Sequence, residues 1–146
     1  MTTDSSSTIA NILHSSKTVA VVGLSDKPER ASGHVAQYLQ QQGYRIVPVN
    51  PHLAGQQILG EPVYASLQEA ADALAKDGRA IDVVDCFRAS EQMEQVARDA
   101  VQARAGSLWM QLGVVNQSAA DLARAAGLQV VMDRCMKIEH AMLERA

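Results

Sequence analysis

The chain has 146 residues, 13 Lys+Arg against 16 Asp+Glu and a formal net charge of −3; 47% of its residues are hydrophobic and 20% charged. That length holds one core without staples, and the composition excludes disorder over most of the chain, a collagen-like repeat and a disulfide-rich scaffold. The acidic balance argues against nonspecific nucleic-acid binding, which needs a basic face, and no apolar run approaches the ~18–20 residues that span a bilayer.

The Ser/Thr-rich start, Thr2–Thr8, is expected to fray. Met1–Ser7 has neither the basic flank nor the apolar centre of a secretory signal, so a cytoplasmic protein with Cys86 and Cys135 reduced is expected. A short helix is expected around Ile9–His14, which leaves 1–13 as a terminal segment and 14–146 as one domain. Valine-rich runs follow at Thr18–Gly23, Tyr44–Asn50, Ile81–Phe87, Ser107–Gly113 and Leu128–Asp133. Most are continuously apolar rather than alternating, as strands covered on both faces must be.

Between the runs the period becomes helical. Val35, Tyr38 and Leu39 share a face before Gly43. Gly55–Tyr64 is an extra segment with Gly60 and Pro62 as breakers. Leu67, Ala70, Ala71 and Leu74 form a stripe after a Ser66–Glu69 capping box. Met93, Val96, Ala97, Ala100 and Val101 form the next, with Ser90 as N-cap. Leu122, Ala125 and Ala126 follow a weaker box at Ser118 and Asp121, and Cys135–Glu144 closes the chain as a helix. Alternating strands and helices predict an α/β fold: a Rossmann-like, doubly wound parallel sheet of about five strands with helices on both faces.

Ligands of such sheets bind beyond the carboxyl ends of the strands, where the strand order reverses. The residues there are therefore the candidates. The first loop, Gly23–Gly33 (GLSDKPERASG), offers Gly23 for close backbone approach, the backbone of Leu24, the hydroxyls of Ser25 and Ser32, and the charges of Lys27 and Arg30. It leads into a helix N-terminus, which favours a phosphate; a solvated loop is the competing reading. The loop is neither a GxGxxG fingerprint nor a Walker A loop. The second strand ends in Asn50-Pro51-His52, without the acid that grips the ribose of NAD. Asn50 is suited to hydrogen-bond a base or sugar, and Pro51 to lie against a purine. Phe87 and Arg88 follow the third strand, Gln111 and Gly113 the fourth, and Cys135 the fifth. Asp85, inside an apolar run, is expected to be a structural acceptor near the cleft. His34 and His140 read as helix-surface or capping residues, and no metal or triad spacing is present.

In order, G-L-S-D-K-P-E-R-A-S, V-N-P, V-V-D-C-F-R, W-M-Q-L-G and D-R-C-M-K-I-E-H resemble the small stand-alone CoA-binding domain proteins. These are similar to the nucleotide-binding domain of the succinyl-CoA synthetase alpha subunit. The resemblance runs from about His14 to Leu143. It implies CoA or an acyl-CoA across the strand ends, with Ser25, Lys27 and Arg30 at phosphates, Asn50 and Pro51 beside the adenosine, and Phe87 and Arg88 beside the pyrophosphate or pantetheine arm. The synthetase's second domain, with its phosphorylated histidine, has no counterpart here, so ligase activity is not expected. A CoA carrier, sensor or regulatory module is the leading reading. An NADP-type redox sensor and an enzyme acting on acyl-CoA are the alternatives. Cys135, at the ligand edge, reads either as a small residue filling space under the last helix or as a thiol that forms a mixed disulfide with CoA under oxidising conditions, its thiolate displacing CoA thiolate from CoA disulfide; Cys86 is expected to be inert.

Overall fold

The computed structural model describes residues 6–27 and 29–145. Helix α1 (Ser6–Ser15) precedes β1 (Thr18–Val22), α2 (Ala31–Gln41) and β2 (Arg45–Val49). A 3-10 turn at Pro51–Leu53 leads to a hairpin of β3 (Gln57–Ile58) and β4 (Glu61–Pro62). Then come α3 (Leu67–Ala75), β5 (Val83–Cys86), α4 (Met93–Gln102), β6 (Ser107–Met110), α5 (Gln117–Ala125), β7 (Gln129–Val131) and α6 (Met136–Arg145).

Five strands form one parallel sheet in the order β2-β1-β5-β6-β7. The order reverses at β1, between β2 on one side and β5 on the other. This is a doubly wound α/β sheet with its switch point at the carboxyl ends of β1 and β5. Alternation along each strand sorts side chains into two layers. Val19 and Val21 join Ile12, Val35, Leu39, Trp109 and Met136 under α1, α2 and α6. Ala20 and Val22 join Leu67, Leu74, Met93, Ala97 and Ala120 under α3, α4 and α5. Every residue of β1, β5 and β6 is buried, so the continuous apolar runs have the expected cause.

Several local expectations change. Ser66 does cap α3 by accepting from Glu69 N–H at 3.1 Å. Ser90 does not cap α4: it opens a 3-10 turn, and its hydroxyl accepts from Val115 N–H at 3.0 Å, tying that turn to the loop after β6. The cap of α5 is Asn116, whose Oδ1 accepts from Ala119 N–H at 2.9 Å; Ser118 lies inside the helix and is exposed. The Gly55–Tyr64 segment is the β3–β4 hairpin, joined by Leu59 and Gly60 at φ 54° and 78°. Of the start expected to fray, Ser6–Thr8 opens α1, while residues 1–5 lie outside the described residues.

His140 is not a surface residue. It is 7% exposed, its Nδ1 lies 2.8 Å from the Tyr38 hydroxyl, and its ring stands edge-on to Tyr38 and Tyr44. Met136 and His140 are four residues apart on α6 and both buried, a helical spacing visible in the sequence. Tyr44 completes the cluster by donating to Leu13 C=O at 2.6 Å, and burial, with Glu144 nearby, raises its phenol above its ordinary value.

Candidate functional site at the strand ends

The hydrogen-bond ladder continues one residue past the strands. Gly23 N–H donates to Val49 C=O, and Phe87 N–H donates to Val22 C=O, both at 2.9 Å. Asn50, Gly23 and Phe87 therefore line up along the carboxyl edge, at the switch point. Gly23 has φ +85°, and a Cβ there would lie 2.7 Å from the Phe87 carbonyl oxygen and 3.3 Å from Arg88 Nε. Only glycine lets β1 turn away this close to β5, and Arg88 is laid against the turn.

The first loop is organised from within. Ser32 Oγ, buried, accepts from Ser25 N–H at 3.0 Å, and Ser25 Oγ accepts from Lys27 N–H at 3.1 Å. Arg30 N–H donates to Lys27 C=O at 3.1 Å, which holds both basic residues at the head of α2. Pro28, in the same stretch, lies outside the described residues. Arg30 occupies the N-cap of α2 and provides no side-chain acceptor, unlike Ser66 at α3 and Asn116 at α5. Of the first-turn amides, Gly33 N–H already donates to Arg30 C=O at 3.1 Å, and no side chain of the N-cap residue serves the others. Asp26 and Glu29 balance Lys27 and Arg30, so the positive excess at this edge comes from Arg88 and the helix start. Arg88 is half-buried and has no ion-pair partner among the described residues.

Two cavities flank this loop. One, of about 180 Å³, lies between β1, β2, α3 and α4 and includes Val22, Val49, Pro51, Leu67, Arg88 and Asp99. The other, of about 250 Å³, lies between the loop, α2 and the hairpin.

The remaining candidates are placed differently. Leu24 is fully buried; its carbonyl accepts from Asn50 Nδ2 at 3.1 Å. Asn50 Oδ1 accepts from His52 N–H at 2.9 Å, so this amide already staples the loop to the end of β2. Gln111 is buried, and its Oε1 accepts from Met136 N–H at 3.1 Å, capping α6 rather than facing a ligand. Gly113, at φ +80°, donates to Asp133 Oδ1 at 2.8 Å in a turn beyond β6. Cys135 precedes α6 and is 7% exposed, packed in the layer of Trp109 and Met136 rather than open at the ligand edge.

Asp85 departs most from expectation. It is fully buried on β5, in register with Val21 and Trp109, and neither carboxylate oxygen has a hydrogen-bond partner. Loss of hydration raises its carboxyl well above the usual carboxylate range. The acceptor role belongs to Asp82, whose Oδ2 takes the N–H groups of Lys17 and Thr18 at 2.8 and 2.9 Å. Cys86 next to Asp85 is also fully buried, and burial raises its thiol, with the adjacent Asp85 adding to the effect. No cluster suited to a metal ion and no helix long and apolar enough to cross a membrane occurs among the described residues.

A doubly wound sheet with a glycine turn and an arginine at its switch point defines a Rossmann-like class of α/β domain. Within it, the chain belongs to the CoA binding domain family, whose model matches residues 17–141. It is 41% identical over 142 residues to the uncharacterised protein YneT of Bacillus subtilis, covering 97% of this chain and 98% of that one. It is also similar to two solved structures. A hypothetical protein from Pyrococcus horikoshii is 33% identical with a TM-score of 0.85, over 97% of this chain and 93% of that one. A Thermus thermophilus protein is 31% identical with a TM-score of 0.83, over 96% and 99%.

Proposed function

We propose that this protein is a small cytoplasmic CoA-binding module, a carrier, sensor or regulator, that holds CoA or an acyl-CoA at the carboxyl ends of β1, β2 and β5. The observation that carries this reading is Arg88, without an ion-pair partner among the described residues, laid against the Gly23 turn near a helix start that has no side-chain cap. That arrangement offers a fixed cation beside the positive end of a helix to a diphosphate. Lys27 and Arg30 add charge at the rim, and Ser25 and Ser32 hold the loop in shape. Asn50 and Pro51 border the adenosine, with Phe87 and Arg88 beside the pyrophosphate or pantetheine arm. Gly23 keeps the backbone close and Leu24 C=O holds the Asn50 amide, while Gln111, Gly113 and Cys135 lie farther along the edge. The neutral end of β2 favours CoA over NAD, because no carboxylate is present to grip an unphosphorylated ribose.

The test is a thermal scan with CoA, NAD, NADP and ATP, alongside native mass spectrometry of freshly purified protein. CoA is expected to raise the midpoint most, since a ligand bound only by the folded state stabilises by about 2.7 kcal/mol at a hundredfold excess over Kd. Arg30→Ala is expected to weaken CoA about tenfold to a hundredfold, the range of a charge-assisted contact, and to leave the fold intact. A shift with NAD and none with CoA overturns the reading; a larger shift with NADP establishes the redox-sensor alternative.

A further inference from the structure

Helices α2, α3, α4 and α5 end in the same way. A residue just past the helix turns left-handed, its N–H donates three residues back, and the next N–H donates five residues back. The pairs are Gly43 and Tyr44, Gly78 and Arg79, Arg104 and Ala105, and Gly127 and Leu128, all at 2.9–3.1 Å. The turning residue is glycine in three of them, at φ 99°, 70° and 95°, but in α4 it is Arg104, at φ 61°. A Cβ disfavours this backbone, which is why glycine is its ordinary occupant. Leu59 and Asp133 are also left-handed, and the fold uses the side chain of each. Asp133 Oδ1 accepts from Gly113 N–H at 2.8 Å, and Leu59 packs against the α2 layer. Arg104 is exposed, and its side chain has no ion-pair or hydrogen-bond partner among the described residues. A cation near a helix C-terminus gains from the dipole, but at an exposed site that gain is smaller than the left-handed cost. Folding alone does not account for an arginine here.

Arg104 lines a third cavity, of about 300 Å³, between the ends of α3 and α4. It lies where the chain enters β5 and β6, at the opposite end of the sheet from Gly23 and Arg88. Buried Ile81 and Ala103 give it an apolar base. Arg79, exposed and likewise without an ion-pair partner among the described residues, is its second cation. Asp72 is the one carboxylate among the lining residues, and it already accepts from Gln68 Nε2 at 3.0 Å. Two guanidinium groups against one engaged carboxylate leave the cavity positive. Helix C-termini oppose an anion through their free carbonyls, but those of Leu74, Ala75, Ala100 and Val101 are taken by the turn amides. A guanidinium fork matches a carboxylate or a phosphate with two parallel hydrogen bonds. The volume is at the lower end of the ~300–1,000 Å³ of small-molecule pockets, so the guest is small.

We propose that this cavity binds a small organic dianion, a dicarboxylate or a phosphate monoester, held by Arg79 and Arg104 with its aliphatic part on Ile81 and Ala103. Arg104 then occupies a glycine position because its side chain serves a ligand rather than the fold, a trade of stability for function. The site is separate from the strand-end site, and nothing in it depends on what that site binds.

The experiment is a nitrogen–proton NMR titration of the full chain at constant ionic strength, with glutarate, glycerol 3-phosphate and, as a monoanion, butyrate. The Nε–Hε signals of Arg79 and Arg104 are expected to move together and saturate with at least one dianion. Glutarate identifies a dicarboxylate and glycerol 3-phosphate a phosphate monoester. Butyrate is expected to bind about fivefold or more weakly, and Arg79→Ala and Arg104→Ala each to weaken the dianion by a similar factor. Arg98→Ala, on the exposed side of α4 and outside the cavity, is expected to leave binding unchanged. Arg104→Gly is the discriminating variant. It is expected to weaken the dianion as Arg104→Ala does while raising the urea midpoint, a combination that an arginine kept for the helix end does not give. Absence of a saturable shift with both dianions overturns the proposal. So does butyrate binding as tightly as the dianions, or an equal loss in Arg98→Ala, which would show only diffuse surface charge. A lower urea midpoint for Arg104→Gly overturns it in favour of a purely structural arginine.

Discussion

Replacing Gly23 adds a Cβ that meets a backbone oxygen at 2.7 Å, and the carbonyl it meets belongs to the central strand pair. Gly113 has a similar φ, +80°, but nothing within 4 Å of its Cβ position. Gly113→Ala is therefore expected to cost only the left-handed backbone, roughly 1–2 kcal/mol, and Gly23→Ala distinctly more. Urea unfolding of the pair measures the difference; equal losses would mean that the close approach at β1 relaxes freely. Asp85 gives a second prediction. Burial raises its carboxyl well above the ordinary carboxylate range, so just above that range the folded state keeps a proton that the unfolded state has released. The stability this contributes is full below that range and is lost as pH rises toward the raised folded value. Over that window the folding equilibrium falls roughly tenfold per pH unit. Asp85→Asn cannot ionise, so its melting point is expected to gain on the wild type as pH rises above the ordinary carboxylate range. A gap that stays constant with pH contradicts this. The sequence displays Asp85 as an acid in an apolar run, but whether a partner stands across the sheet is decided by residues far away in the chain. That is why the reading of Asp85 as an acceptor failed, while Asp82, not singled out in the sequence, takes the two amides of Lys17 and Thr18.

At the scale of elements, the helix starts show where local chemistry is readable. Ser66 followed by Glu69 was legible because a cap acts on the next turn of its own helix. Asn116 was passed over for Ser118, although the first buried residue of α5, Ala119, lies three positions after Asn116. Asn116→Ala is expected to cost about 1 kcal/mol, and Ser118→Ala, on the exposed face, less than about 0.5. Chemical denaturation of the two variants checks this directly, and a larger loss from Ser118→Ala would return the cap to the serine. Ser90 failed as a cap for a different reason: its hydroxyl serves Val115, 25 residues away. The hairpin was hidden because its turn is Leu59-Gly60 rather than Asn-Gly, and because Pro62, read as a breaker, sits in a two-residue strand.

Across the whole molecule, the parallel sheet and both covering layers were visible in the sequence, since five apolar runs separated by helical stripes leave few other arrangements. The strand order was not, because nothing in β1 itself specifies that β5 will be its second neighbour. The order in turn decides which strand-end residues meet: Gly23, Asn50, Phe87 and Arg88 converge, while Gly113 and Cys135 sit farther along. Both thiols are sealed by this packing, Cys86 at 0% and Cys135 at 7% exposure. A thiol reagent is expected to label neither in the native protein and both in denaturant. Cys86, in a central strand, should react only at the rate of global opening. Rapid native labelling of Cys135 would show that the end of β7 opens locally and would revive thiol exchange with a bound ligand.

The reversal of strand order at β1 also sets a timetable for synthesis. Thr18 finds its partner Arg45 after 27 residues, but Val19 waits for Val83, 64 residues later in the chain. Until β5 leaves the ribosome, β1 is an edge strand, apolar from Val19 to Val22, with one flank open. The nascent chain is most prone to mispairing in that interval, and its folding is governed by the closure of that long loop more than by any helix. A chain stalled after α3 should accordingly be protease-sensitive, and one that has exposed Arg88 should begin to resist.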